Sequence, residues 1–199
     1  MIELTKIPLD LTSGRLAEQA DVSEDRAAAF LNRVRPLLSP AAVFDETRPG
    51  DVWGNRGGEV LIDLGDEIIV GLCALGPGAA QARKTTDEEA GLIEALFRLA
   101  LTDALDFLEY RLRKYLSPTG RRPGPRLSPG CAGLPLSLNQ AILDYFGPEH
   151  DLGLTVLPSG EIREGSGAAF VYPAAENIFV PGEACRFCER KDCPGRHSN

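Results

Sequence analysis

The strongest constraint on this chain is an apolar stripe in which Leu92, Ile93, Leu96, Leu99, Ala100, Ala104, Leu108, Leu112 and Leu116 recur at helical intervals. That period marks one face of an α-helix. Ahead of it, Thr86 and Glu89 have the T-x-x-E spacing of a capping box, in which each side chain satisfies an amide at the helix start. The spacing predicts one helix of about 30 residues, or ~45 Å.

The other predicted elements are shorter. Ser23 followed by Glu24, Asp25 and Arg26 reads as a helix start, with a cap and early acids favoured by the dipole. Ala27, Phe30, Leu31, Val34 and Leu38 then fall at helical spacing, and Pro36 thins the last turn. Residues 41–44 and 59–63 read as short strands around a turn-rich 48–58, and 67–75 as a buried strand. Ser137 and Gln140 form a second capping box before Leu138, Ile142, Leu143 and Phe146. Residues 152–157 and 167–172 read as strands, with a turn at Ser159-Gly160. Helices bracketed by short strands without βα alternation predict an α+β fold. The expected architecture is a single domain over 1–180, with a small antiparallel sheet and one long helix, followed by a Cys-rich tail over 181–199.

The formal charge is −8 and 43% of residues are hydrophobic. A chain this acidic is repelled by phosphate backbones, which argues against nucleic-acid binding. No apolar run approaches the roughly 20 residues of a membrane span. The N-terminal Met1-Ile2-Glu3-Leu4-Thr5-Lys6 does not resemble a secretory leader. The expectation is a cytoplasmic protein with reduced cysteines.

Three of the five cysteines lie in the tail, as Cys185-x-x-Cys188-x4-Cys193, with His197 close behind. A C-x-x-C turn sets two thiolates at a separation suited to tetrahedral coordination. His197, Cys131 or Cys73 could complete the set, whereas three cysteines alone suit an iron–sulfur cluster. Zinc and iron–sulfur both fit, and so does a tail of free thiols. The spacing is not C-x3-C-x2-C, which argues against radical chemistry on S-adenosylmethionine.

A stiff loop runs from Arg126 through Ser128-Pro-Gly130-Cys131-Ala-Gly133-Leu-Pro-Leu to Ser137. Its glycines and prolines allow close backbone approach to a ligand, and Arg126 can pair with a carboxylate in two-pronged fashion. The same residues also suffice as a plain connector. Before it, Arg111, Arg113, Lys114, Arg121, Arg122 and Arg126 lie within sixteen positions free of acids. Such a run complements a helix C-terminus or meets an anionic ligand or partner. Residues 71–78 match neither a dinucleotide fingerprint nor a P-loop. His150-Asp-Leu-Gly153 keeps only part of a corrinoid-binding pattern, with Pro148 in the Asp place. No hydrolytic triad is apparent.

Taken together, these segments resemble the small stand-alone relatives of the activation domain of cobalamin-dependent methionine synthase. Leu72-Cys-Ala-Leu-Gly76 is similar to their strand end, and Arg126-x-Ser-Pro-Gly-x-x-Gly-Leu-Pro-Leu-Ser-x-x-Gln140 to their R-x-S-P-G-Y-x-x-x-P-L-x-x-Q motif. Leu154-Thr155 and Gly165-Ser166-Gly167 resemble a weakened later segment, and the Cys-rich ending resembles that of many short members. Cys131 stands where the family usually has Tyr.

The resemblance implies S-adenosylmethionine binding, with Arg126 on the carboxylate and Ser128, Gly130, Cys131 and Gly133 lining the pocket. In that reading Asp103, Asp106 and Glu109 are the acids of the long helix available to face the sulfonium. It further implies reactivation of a corrinoid methyltransferase by reductive methylation of cobalt, the cobalamin being presented by that partner protein. This chain would then be an accessory subunit without a general base, acting by positioning and docking. The alternative is a non-enzymatic metal or iron–sulfur module of the same fold, acting as electron donor or interaction subunit.

Overall fold

The computed structural model describes residues 1–54, 64–84, 89–163 and 166–173. Four strands form one antiparallel sheet in the order β1-β2-β3-β4: β1 is Ile2–Leu4, β2 Ala41–Thr47, β3 Ile68–Ala74 and β4 Gly167–Pro173. Helix α1 spans Ser13–Ala20, α2 Glu24–Val34, α3 Pro49–Trp53, α4 Gly78–Ala82, α5 Ala90–Leu116 and α6 Leu138–Phe146. The expected α+β class holds: a small antiparallel sheet with one dominant helix.

All seven residues of β3 are buried, which explains why this strand reads as a continuous apolar run without alternation. Its alternate side chains serve two layers. Ile69 and Cys73 join Phe44, Phe170 and Tyr172 under Ala104, Leu105, Leu108, Leu112 and Leu116 of α5. Ile68, Val70, Leu72 and Ala74 face the other way, onto Leu138, Ile142 and Phe146 of α6 and Trp53 of α3. On the α5 face, Gly71 pairs with Phe44 and Phe170, where the ring of Phe170 leaves no room for a side chain.

The long helix runs for 27 residues, and its N-terminal half packs with α1, α2 and α4 in a helical cluster of its own. Ser23 caps α2 by accepting from the Arg26 amide at 3.4 Å, and Pro36 sits in a 3-10 turn over Arg35–Leu37, both as expected. Thr12 caps α1 in the same manner. No helix among the described residues is long and apolar enough to cross a membrane.

Three expectations need correction. Ser137 adopts helical angles and makes no side-chain cap, while Gln140 turns to Asp144 at 2.7 Å. The carbonyls of Pro135 and Leu136 already receive the amides of Leu138 and Asn139, so backbone turns do the work of the cap. Residues 152–157 form no strand, because Leu152 and Gly153 both take positive φ, +54° and +72°, and break the extended run. What survives is a small hairpin with one bridge, Val156 to Ile162, around the expected turn at Ser159-Gly160. The turn-rich stretch after β2 contains α3. The expected strand at 59–63, the Thr86 cap and the domain boundary at 180 lie outside the described residues.

Candidate functional site

The Arg126–Ser137 loop lies against β4, the edge of the sheet. Leu127 exchanges backbone hydrogen bonds with Val171 at 2.8 Å in each direction, and Gly124 donates to Pro173 at 2.9 Å. This short antiparallel pairing buries Leu127 in the α6-side core. Arg126, its neighbour in the pairing, goes to the opposite face by strand alternation, toward α5. There its nearest carboxylate is Asp106, with Nη1 and Oδ1 3.9 Å apart.

Arg126 is 28% exposed, yet Nη1 is buried; it and the buried Tyr172 hydroxyl make no hydrogen bond of ordinary geometry, although the Arg126 and Tyr172 side chains interact with each other. Buried polar atoms satisfied this loosely are uncommon in folded proteins. Burial pushes the Tyr172 phenol above its ordinary range, and the nearby Arg126 charge offsets only part of that. Burial likewise pushes the Cys73 thiol up to about 12, again against a smaller pull from Arg126.

After Leu127 the loop makes two turns in succession. Ser128 to Cys131 closes at 3.0 Å around Pro129 and Gly130. A Pro followed by a Gly at φ +87° suits a type II turn. Cys131 to Leu134 closes at 2.9 Å around Ala132 and Gly133, both at positive φ, the sign pattern of a type I′ turn. The amide of Gly130 also donates to the Leu134 carbonyl at 2.7 Å. The amides of Gly130 and Cys131 are therefore spent within the loop, and its stiffness comes from those bonds.

Ser128 borders a cavity of about 210 Å³ against β4, shared with Leu136, Asn139, Glu161 and Ile162. Asn139 is held there by donating to the Gly160 carbonyl at 2.8 Å. Small-molecule sites usually span about 300–1,000 Å³, so this cavity accommodates part of a ligand only. Gly130 is exposed, while Cys131 and Gly133 are half-buried.

The three helix acids differ in their partners, although the charges of both Glu109 and Asp106 reach Tyr172. Asp103 is taken by Arg15 at 2.8 and 3.2 Å, and Glu109 pairs with Arg113 at 2.6 Å. Asp106, 67% exposed, is the one set beside Arg126. Tyr172 was not expected as a site neighbour; its place across from Arg126 depends on a pairing register that neither segment announces. His150 contacts Glu3 of β1 at 2.5 Å, which ties the chain after α6 to the sheet. Cys73 is sealed in the core, so it is no plausible metal ligand. Cys185, Cys188, Cys193 and His197 lie outside the described residues, among which no group of three or more His, Cys, Asp or Glu could hold a metal ion.

A four-stranded antiparallel meander layered between one long helix and a shorter one defines the class of fold. Among solved structures, it is shared by the "MetH Reactivation Domain bound to AdoHcy". The match has a TM-score of 0.55, covers 84% of this chain and 67% of that chain, and shows 16% sequence identity. No protein-family description matches the sequence, and no curated protein matches it.

Proposed function

We propose that this chain binds S-adenosylmethionine and serves as the reactivation partner of a corrinoid methyltransferase. The observation carrying the reading is the Arg126 guanidinium, loosely held by Asp106 and Tyr172 on the sheet edge of a fold shared with a domain solved with AdoHcy. An ion pair as long as 3.9 Å is weak, and the exposed part of the guanidinium is free to meet a carboxylate, for which its planar fork is suited. Arg126 would hold the methionine end of the ligand and Ser128 would border it. Asp106 would offset the positive sulfonium. Cys131 would replace the aromatic contact of the family pattern with a smaller one.

Cobalamin, carried by the partner, would supply the methyl-accepting metal. The residues of this chain bind and orient the methyl donor, and none is required as a general base. The tail residues Cys185, Cys188, Cys193 and His197 are proposed to hold zinc or an iron–sulfur cluster. Visible absorption and chelator sensitivity of anaerobically purified protein distinguish these two.

A second reading is a metal-binding module that has lost the ligand. The inward-turned amides of Gly130 and Cys131 and the small edge cavity favour it. Calorimetric titration with S-adenosylmethionine decides between the two. Micromolar or tighter binding, reduced about 10- to 100-fold in Arg126→Ala, supports the first reading. Absence of binding in protein shown to carry metal supports the second.

A further inference from the structure

The C-terminal end of α5 carries more positive charge than its dipole calls for. The chain has a formal charge of −8, yet residues 111–126 hold six cations and no acid. A helix C-terminus is equivalent to about half a negative charge, so one cation would suffice. Acids from the surroundings account for three more. Arg113 meets Glu109, Arg121 meets Glu46 and, at 3.1 Å, Glu67, and Arg126 faces Asp106. Arg111 and Lys114 lie over the rings of Phe107 and Tyr110. Arg122 has no carboxylate partner among the described residues.

Three of these cations, Arg113, Arg121 and Arg122, line an open cleft of about 650 Å³ together with Ser117, Gly120 and Pro123, and no carboxylate lines it among the described residues. The cleft is built by local structure. A 3-10 turn over Ser117–Thr119 ends α5, and Gly120 at φ +74° reverses the chain. Thr119 donates to the Leu116 carbonyl at 2.8 Å and accepts from Arg121 Nε at 3.1 Å. Thr119 and the two glutamates thereby fix Arg121, while Arg113, paired with Glu109, and Arg122 remain exposed.

We infer that this cleft binds a small phosphate-bearing anion, at a site separate from the Arg126 loop. Guanidinium forks match the oxygens of a phosphate and bind it more strongly than neutral donors do. The volume suits a small molecule, and among the described residues no aromatic ring lines the cleft to stack a base, so recognition falls on the charged group. A long nucleic acid is disfavoured by the charge on the rest of the chain.

The test is titration of the full chain with pyrophosphate, comparing the parent with an Arg113→Ala/Arg122→Ala double variant. The expected result is one saturable site whose affinity falls as salt rises and drops about tenfold or more in the double variant. Both side chains reach solvent, so the thermal midpoint should hold, and S-adenosylmethionine binding should be unchanged. Absence of saturable binding, equal binding by the double variant, or tighter binding of a single-stranded homopolymer than of pyrophosphate overturns the inference.

Discussion

Arg15 and Asp103 form a two-pronged ion pair between α1 and α5, with Nη2 to Oδ1 at 2.8 Å and Nη1 to Oδ2 at 3.2 Å. The Asp10 amide adds a third bond to the same carboxylate at 2.9 Å. Asp103 is only 11% exposed, whereas Arg15 is 35% exposed. Removing the arginine leaves a nearly buried carboxylate with one amide for a partner. Loss of a fully buried pair member costs about 3–5 kcal/mol, and partial exposure lowers this to about 2 kcal/mol here. Arg15→Ala should reduce the urea-unfolding free energy by that amount without affecting S-adenosylmethionine affinity. A loss below about 0.5 kcal/mol, the range of ordinary surface changes, would mean that α1 docks by apolar contact alone.

Asp106 supports a sharper prediction about ligand charge. If it offsets a sulfonium, Asp106→Asn should weaken binding of S-adenosylmethionine more than binding of S-adenosylhomocysteine, whose sulfur is neutral. A loss of about five- to tenfold is expected for the first ligand, equivalent to ~1 kcal/mol or slightly more, and less than twofold for the second. Equal losses for both would indicate that Asp106 acts only through Arg126. Parallel titrations of one preparation settle it.

Periodicity carried the main elements because they obey it. The α5 stripe and the seven apolar residues of β3 each meet a covering layer along their length, so helical and strand patterns are undisturbed. Elements whose formation depends on partners left weaker traces. β1 has three residues and exists by pairing with Ala42, Val43 and Phe44; α3 and α4 have five residues each, too few to show a period. At the site, Ser-Pro-Gly announces a tight turn, but the direction of its amides is set by Leu134. Choosing Asp106 over Asp103 and Glu109 required knowing where Arg15 and Arg113 reach, which α5 alone does not reveal.

Gly71 should tolerate no side chain. A Cβ there would overlap the Phe170 ring and lie 2.6 Å from the Val43 carbonyl oxygen. A ring can shift, but the carbonyl belongs to the neighbouring strand. Gly71→Ala should cost about 3 kcal/mol, at the upper end of overpacking effects. Adding Phe170→Leu should restore only a fraction, since the backbone clash remains. Full recovery in the double variant, read from denaturant midpoints, would show that the ring alone sets the limit.

Cys73 predicts the alkaline limb of stability. Its thiol ionises near 9.0 when unperturbed and is pushed up to about 12 by burial. The folded state therefore retains the proton where the unfolded chain has released it. The resulting stabilisation is complete below about pH 9 and is lost as pH rises from there through about 12. Tyr172, also raised by burial, adds to the same trend at higher pH. Cys73→Ala should start from a somewhat lower stability, because a small buried group is removed, yet lose less of it between pH 8 and about 10.5. Urea midpoints measured across that range give the two slopes directly. Parallel slopes would assign the alkaline loss to other groups, and rapid alkylation of Cys73 in the native protein at pH 8 would contradict its burial between the sheet and α5.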